Sequence, residues 1–369
     1  MVKKLSNLQI AQQRADEASK KTNEKIEVLG QHTRVLYTSL TMVQSLFDRI
    51  RNVPEEDKRK YEELKAIRVH WKQQAENIEI EYKKSEVKVA SQGAAGIGAG
   101  VAVAALGPTA AMGIATTFGV ASTGTAISTL SGAAATNAAL AWLGGGALIA
   151  GGGGMAAGSM FLTLAGPVGW AIAGISIVSS GLMFFKTKSD KKRLENIFTL
   201  ISNRDIKSYE LATVELGERI KRIVSEAGKL AEIITKIKTF GTDYTKMTEA
   251  QQYELGAYVN LMEASTMLLV NPIIGLQPKY TELDFEKLCS SESDIIKCYL
   301  ISHKNIVILM ANLLYKIKLD DKDRKLLTKA LKKDKEFLSS VEMTKNEFDA
   351  YDIAMIERAL NHKYKFSKF

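Results

Sequence analysis

Charge is missing from a long internal part of this chain. Residues 89–185 contain no Asp, Glu, Lys, Arg or His, whereas the sequence on both sides is densely charged. We call this tract the uncharged block. A water-soluble domain of such length normally places charges on its loops and outer faces, because these must be solvated. The uncharged block therefore requires an apolar environment, either a bilayer or the interior of its own protein.

Cysteine is also scarce. Two cysteines, Cys289 and Cys298, do not make a disulfide framework in a chain of 369 residues, and they fit a reducing compartment. They could be redox-active, but buried thiols are the commoner case. The early basic residues are followed by no apolar run, so the N-terminal sequence does not resemble a Sec signal peptide. We expect a protein made in the cytoplasm in a soluble form that later meets a target membrane, with any secretion by a non-Sec route.

Motifs for catalysis are missing as well. The glycine runs contain no GxxxxGK[ST] loop, no GxGxxG between a strand and a helix, and no GxSxG. The four histidines are scattered without metal-ligand spacing, and His32, near the seam of the first helix, reads as a packed residue rather than a ligand. The sequence therefore predicts no enzyme, no cofactor and no metal site.

The net charge of +9 is divided into +4 over residues 1–88 and +5 over residues 186–369. Both flanks are mixed-charge surfaces with a mild basic excess, which suits an anionic membrane surface. No basic patch is interleaved with aromatic residues, so we expect no nucleic-acid partner.

Glycine is abundant in the uncharged block, which holds 21 of the 27 glycines. Small residues contribute little transfer free energy, but they let membrane helices approach closely. The pairs Gly96/Gly100 and Gly154/Gly158 have the small-xxx-small spacing of such contacts. We predict segments that insert weakly alone and well as packed hairpins or oligomers, with breaks at Pro108 and Pro167 and interfacial anchors at Trp142 and Trp170.

Basic residues flank the uncharged block on both sides. They favour keeping both ends on one side of a bilayer, so the number of crossings is even, two or four. The second cluster has two compatible interpretations, a solvated helix start that sets topology and a site that captures anionic lipid. The residues concerned are Lys83, Lys84 and Lys88 before the block and Lys186, Lys188, Lys191, Lys192 and Arg193 after it.

The flanks have helical periodicity throughout. A seam of Leu8, Ala15, Thr22, Leu29, Leu36, Val43 and Ile50 recurs at every seventh residue and predicts one long helix over 5–51. The seam is weak at Lys25, His32 and Ser39, which favours packing within the chain over a dimeric zipper. Further helices are predicted at about 54–88, 189–240, 248–271, 293–318, 321–340 and 345–363, the last from a capping-box pattern at Thr344 and Glu347. Residues 272–290 read as an irregular connector.

Long amphipathic helices around a Gly/Ala-rich uncharged hairpin resemble the α-helical pore-forming toxins, including the haemolysin-E-like cytolysins and their two-component relatives. The portion TGTAISTLSGAAATNAALAWLGGGALIAGGGGMAAG (123–158) also resembles glycine-zipper segments of bacterial toxin and defence effectors and of apolipoprotein-L-like channels. The resemblance covers the architecture of roughly residues 1–240. It implies a soluble form that hides the hairpin, then membrane insertion and oligomerisation, either with itself or with a second toxin component.

The sequence therefore predicts an all-α protein, an elongated bundle of long antiparallel helices with a hydrophobic hairpin. Its regions are long amphipathic helices at 1–88, the membrane-insertion region at 89–185, returning helices at 186–271 and a helical cap at 272–369. We predict a membrane-active, pore-forming protein whose partner is a lipid bilayer. Two alternatives stay open: a constitutively membrane-anchored coiled-coil scaffold or adaptor, and a soluble protein whose uncharged block is core.

Overall fold

The computed structural model describes residues 6–91, 108–118, 187–277, 279–333, 338 and 343–366. Within these ranges the protein is all-α, as predicted, and contains no strand. The helices are α1 (Asn7–Phe47), α2 (Glu55–Ser91), α3 (Pro108–Phe118), α4 (Lys188–Ile237), α5 (Glu249–Val270), α6 (Glu282–Ser291), α7 (Asp294–Ser302), α8 (Lys304–Leu314), α9 (Asp321–Leu331) and α10 (Ala350–Phe366).

The ends of the long helices follow local sequence chemistry. Ser6 and Gln9 form a capping box at the start of α1, and Thr248 and Gln251 form another at the start of α5. Beyond α4 the chain reverses at Gly241, whose φ of +82° suits glycine. The start predicted near Thr248 and the stops predicted at Gly241 and Asn271 are confirmed.

The seam predicted for α1 is confirmed as core, since all seven of its residues are buried. Their main neighbour is α4, which buries a similar seam that includes Tyr209, Leu216, Ile223, Leu230 and Ile237. Long helices of this kind owe most of their stability to such a buried apolar face. The expected packing of α1 within its own chain is therefore observed.

The two long helices α1 and α4 run parallel and in register. Thr22 and Thr213 share a hydrogen bond of 3.1 Å, and Asn52 Nδ2 donates to Asp243 Oδ1 at 3.0 Å, and both pairs are separated by 191 residues. Backbone hydrogen bonds also connect Arg51 to Thr242 and Tyr244, beyond the ends of the two helices. A constant separation along the rods is possible only for parallel helices, so the predicted antiparallel arrangement is wrong for this pair.

Antiparallel packing is found within each helical hairpin. In the first, rings of Tyr37 and Trp71 lie 5.4 Å apart and those of Phe47 and Tyr61 lie 5.8 Å apart, so α2 returns along α1. In the second, Lys236 near the end of α4 pairs with Glu254 of α5 at 2.7 Å. The hairpins α1–α2 and α4–α5 lie side by side and form one four-helix core.

The C-terminal helices form a second core with the first turns of α4 and with Leu8. Ile306–Leu314 is wholly buried in it, and Tyr315, which ends this short apolar run, is half-buried. Several helix boundaries differ from the prediction, and α1 and α9 end earlier than predicted, at Phe47 and Leu331. Residues 272–290 contain a 3-10 turn and α6 rather than only a connector, the helix predicted over 293–318 is broken at His303, and α10 begins at Ala350.

The late start of α10 has a local reason. Thr344 N–H does donate to Glu347, as half of the predicted capping box would, but residues 345–347 form a turn. Asp349 accepts instead from the backbone N–H of Tyr351 at 2.7 Å, at the helix that begins one residue after it. The backbone N–H of Asp349 also donates to Asp352 at 2.7 Å, so the helix starts after Asp349 rather than after Thr344.

Candidate membrane-insertion region

Helix α3 is the part of the uncharged block that the structure describes beyond Ser91. Its sequence is PTAAMGIATTF, and it begins at Pro108, one of the two predicted break points. Proline is favoured at the first helical position because its missing N–H would have no intrahelical partner there. The uncharged block therefore contains a helix of 11 residues with a defined start.

Helix α3 lies inside the four-helix core. Every residue from Ala111 to Thr117 is buried, and Ile114 and Ala115 are fully so. The helix packs against α1, α2 and α5. In this structure a segment of the uncharged block is therefore shielded from water by the charged flanks of the same chain.

Two glycines allow α3 to approach α1. A Cβ atom at Gly30 would lie 1.7 Å from the backbone oxygen of Thr109, and one at Gly113 would lie 2.2 Å from the backbone oxygen of Ile26. Both distances are far below any real Cβ contact, so only glycine fits at either position. The pairs Gly30/Thr109 and Ile26/Gly113 also show that α3 runs antiparallel to α1.

The far end of α3 is joined to the segment after α5. The carbonyl oxygen of Thr117 accepts a hydrogen bond of 2.7 Å from the backbone N–H of Ile273. Two residues further on, Gly275 lies against α4, where a Cβ would come within 2.7 Å of the Ala212 nitrogen. Helix α3 is therefore connected to both hairpins.

The core formed by α1, α2, α3 and α5 contains buried polar atoms that have no hydrogen-bond partner among the residues that the structure describes. At least one such atom lies on each of these four helices. A buried polar group left unpaired costs about 1–3 kcal/mol. This core is therefore less favourable than a fully apolar one. The atoms include Thr33 Oγ1, Trp71 Nε1, Thr116 Oγ1 and Ser265 Oγ.

Most of the predicted insertion residues lie outside the described residues. These are Gly96, Gly100, Trp142, Gly154, Gly158, Pro167 and Trp170, together with the flanking Lys186. Of the first basic flank, Lys83, Lys84 and Lys88 lie in the last turns of α2, which continues past the start of the block to Ser91. Of the predicted insertion residues, the structure therefore describes only Pro108, at the start of the helix that packs among the charged flanks.

The second basic flank forms the first turns of α4. Lys188 and Lys192 are exposed and Lys191 is half-buried. Arg193 contacts α9, where its Nε donates to Asp323 Oδ1 at 2.8 Å and its guanidinium also binds Asp320. The cluster is thus divided between exposed lysines and an arginine already paired with carboxylates.

A different segment has the composition of a membrane span. Among the described residues, only Glu249–Leu276 is both long and apolar enough to cross a bilayer, with a mean hydropathy of 1.3. Half of that window is buried in the core, and the core helix of a soluble protein passes the same test. Within it, Leu269 and Val270 near the end of α5 are buried.

Groups able to perform chemistry are dispersed in the described part of the chain. No set of three or more His, Cys, Asp or Glu side chains there is placed to hold a metal ion. Both cysteines are free, Cys298 exposed and Cys289 buried, and burial raises the pKa of the Cys289 thiol. His32 is half-buried on α1.

The sequence alone did not identify Gly30 as the residue of α1 against which α3 packs. Gly30 is the only glycine in α1, and an isolated glycine within a strongly helical pattern indicates a packing requirement. The sequence therefore indicates that Gly30 packs closely against another element. It does not identify the partner, because Gly113 lies 83 residues further along the chain in a tract with many glycines.

No protein-family model matches the chain, and comparisons with curated proteins and with solved structures give no match. The resemblance to α-helical pore-forming toxins therefore stays a prediction.

Proposed function

We propose that this chain is a membrane-active, pore-forming protein whose charged helices shelter the uncharged block until a bilayer is met. The block then inserts as close-packed helices, and several copies assemble in the membrane. The observation that carries the proposal is the position of α3, an uncharged helix held inside the core by contacts between Gly30 and α3 and between Gly113 and α1.

A switch of this kind needs two environments of similar free energy for the same segment. Helix α3 is rich in alanine and threonine, whose small side chains bury little apolar area, so it gains only modestly from burial in either environment. Among the residues that the structure describes, the buried hydroxyls of Thr33 and Thr116 have no hydrogen-bond partner, and such groups weaken the buried state of α3. These features support a shelter that opens on contact with lipid.

The same burial of α3 favours a second candidate function from another class, a soluble structural protein in which the block is permanent core. In that case Gly30 and Gly113 serve only the packing of a stable fold. The two candidates differ in whether α3 ever leaves the core. An environment-sensitive probe on α3 distinguishes them.

The test uses the full chain with Cys298 replaced by serine, since this exposed thiol would otherwise be labelled. A fluorophore is attached at Thr109→Cys, a half-buried position in α3, and separately at Ser225→Cys, an exposed position on α4 that serves as the control. Each labelled protein is mixed with dye-loaded vesicles. Quenching by a lipid-phase quencher and dye release are then measured.

A pore former gives lipid-phase quenching at position 109 but not at 225, together with dye release. A membrane-anchored scaffold gives the same quenching without dye release. If position 109 is never quenched by the lipid-phase quencher, α3 does not leave its protein surroundings and the proposed function is wrong.

A further inference from the structure

The exit from the uncharged block is held by the C-terminal helices. Helix α4 begins at Lys188, directly after the block, and its first turns pack against α9. Three ion pairs join the helices, two with the positive group on α4 and one with the positive group on α9. Arg193 of α4 binds Asp320 and Asp323 of α9, and Asp190 of α4 lies 3.0 Å from Lys322 of α9. We call these contacts the α4–α9 latch.

The acidic side of the latch has a fixed geometry. Asp320 is the N-cap of α9 and forms a capping box with Asp323, so both carboxylates are held by the backbone of the helix they begin. The backbone N–H of Asp323 and, after it, the Arg193 guanidinium lower the pKa of Asp320. The acceptors for Arg193 are therefore in place before the arginine binds.

The basic side of the latch is open to competition. The Arg193 side chain is 34% exposed and that of Asp320 is 58% exposed, so water and other anions reach the pair. Exposed ion pairs contribute little net stability because water screens them. A guanidinium binds phosphate in the same two-pronged manner as carboxylate. Lys188 and Lys192 on the same turns are exposed and add positive charge.

We infer that the acidic start of α9 masks an anionic headgroup site on α4, and that an anionic bilayer displaces Asp320 and Asp323 from Arg193. This inference rests on the proposed function, because it gives the trigger for release of the block. Charge complementarity identifies the occupant. The surface freed by removing α9 combines Arg193 with Lys188, Lys191 and Lys192 next to the segment proposed to insert.

The test compares two double variants with equal charge change. Asp320→Asn/Asp323→Asn weakens the latch, while asparagine still accepts the capping hydrogen bonds of α9. Asp321→Asn/Glu286→Gln is the control, because both residues are exposed and the ion pair of Asp321 is with Arg324 of its own helix. Both are compared with the wild type.

The first measurement is amide hydrogen exchange in the first two turns of α4, without lipid. We expect exchange at least about fivefold faster in Asp320→Asn/Asp323→Asn and unchanged in the control. The second is sedimentation with vesicles of phosphatidylcholine, alone or mixed with phosphatidylglycerol. We expect the latch variant to bind the mixed vesicles at least about threefold more tightly than the wild type, with no gain on phosphatidylcholine. In a third arm, hydrogen exchange of the wild type in the same turns is measured with inorganic phosphate and without vesicles, and we expect no change.

Unchanged exchange in the latch variant overturns the inference. Faster wild-type exchange in free inorganic phosphate also overturns it, because that would mean that no bilayer is needed. If the wild type binds vesicles and the latch variant binds them no more tightly, the headgroup site is wrong and the proposed function stands. If exchange is faster in the latch variant but neither that variant nor the wild type binds any vesicle, the α4–α9 contact stabilises the start of α4. In that case both the headgroup site and the proposed function are wrong.

Discussion

Gly30 of α1 and Gly113 of α3 touch through their backbones: a Cβ at Gly113 would lie 3.0 Å from the Gly30 nitrogen and 3.2 Å from its Cα. Through this contact an uncharged helix packs against a strongly charged one with no side chain between the two backbones. Close approach of two helix backbones is also the property that makes small residues useful in membranes, and here it occurs within a buried helical core.

Gly30→Ala tests the fit of α3. The new methyl group would meet the Thr109 carbonyl, so α3 must shift outward and the unfolding free energy should fall by about 1–3 kcal/mol. Urea unfolding followed by circular dichroism measures this change. Gly228→Ala is the matched control, because this helical glycine has open space around it and alanine there should stabilise by up to about 1 kcal/mol. Equal unfolding midpoints for the two variants would show that α3 does not pack as described.

Asp205→Asn tests a buried carboxyl group on α4. Burial raises the pKa of Asp205 to about 6, against the lowering effect of Arg204, and its Oδ2 has no hydrogen-bond partner in the part of the chain that the structure describes. The folded state therefore binds this proton more tightly than the unfolded state. The stability it contributes is full below the unfolded pKa and is lost as the pH rises through about 6.

The unfolding free energy of the wild type, relative to Asp205→Asn, should thus fall by about 1–2 kcal/mol between about pH 5 and about pH 8. Comparison with the variant removes the contribution of histidines, which titrate in the same window. Parallel pH profiles for the two proteins would contradict the assignment.

Arg204→Lys tests how α4 holds the second core. The Arg204 guanidinium donates to the backbone oxygens of Asn312 at 3.2 Å and of Leu313 and Tyr315 at 2.8 Å, and so caps the end of α8. A lysine ammonium lacks the planar fork that reaches several acceptors. We expect a loss of about 1–3 kcal/mol in unfolding free energy. Arg222→Lys, at an exposed position on the same helix, should change it little, and a similar loss there would refute the capping role.

Asn312→Asp tests the clamp on the chain before α6. The Asn312 side chain accepts from the backbone N–H groups of Lys279 and Tyr280 and donates to the carbonyl oxygens of Tyr280 and Ile308, all within 2.9 Å. Aspartate keeps the acceptors but loses both donors and places a charge in the core.

For Asn312→Asp we expect a loss of at least about 2 kcal/mol, measured by urea unfolding, and faster amide exchange at residues 279 and 280. The exposed Asn260→Asp, which would still accept from Lys60, is the control and should be close to neutral. A neutral effect at both positions would mean that the clamp contributes nothing.

Much of the described fold follows from local pattern. The seam from Leu8 to Ile50, the start of α5 near Thr248 and the turn at Gly241 were predictable, since caps, turns and helical periodicity depend on residues a few positions apart. The role of Asn312 was not predictable, because the sequence around a buried asparagine in an apolar run does not identify partners that lie 32 and 33 residues away.

The sequence by itself determined that the described chain is helical, that a seam from Leu8 to Ile50 is buried and that an uncharged block lies between two charged flanks. These properties arise from hydrogen bonds and side-chain spacing within a few turns of one helix. Only the tertiary structure decided that α1 and α4 are parallel, that α3 fits against Gly30 and that Arg193 meets Asp320. Each of those contacts joins segments 79 to 191 residues apart, and which helix faces meet depends on the sum of many weak contacts rather than on any local pattern.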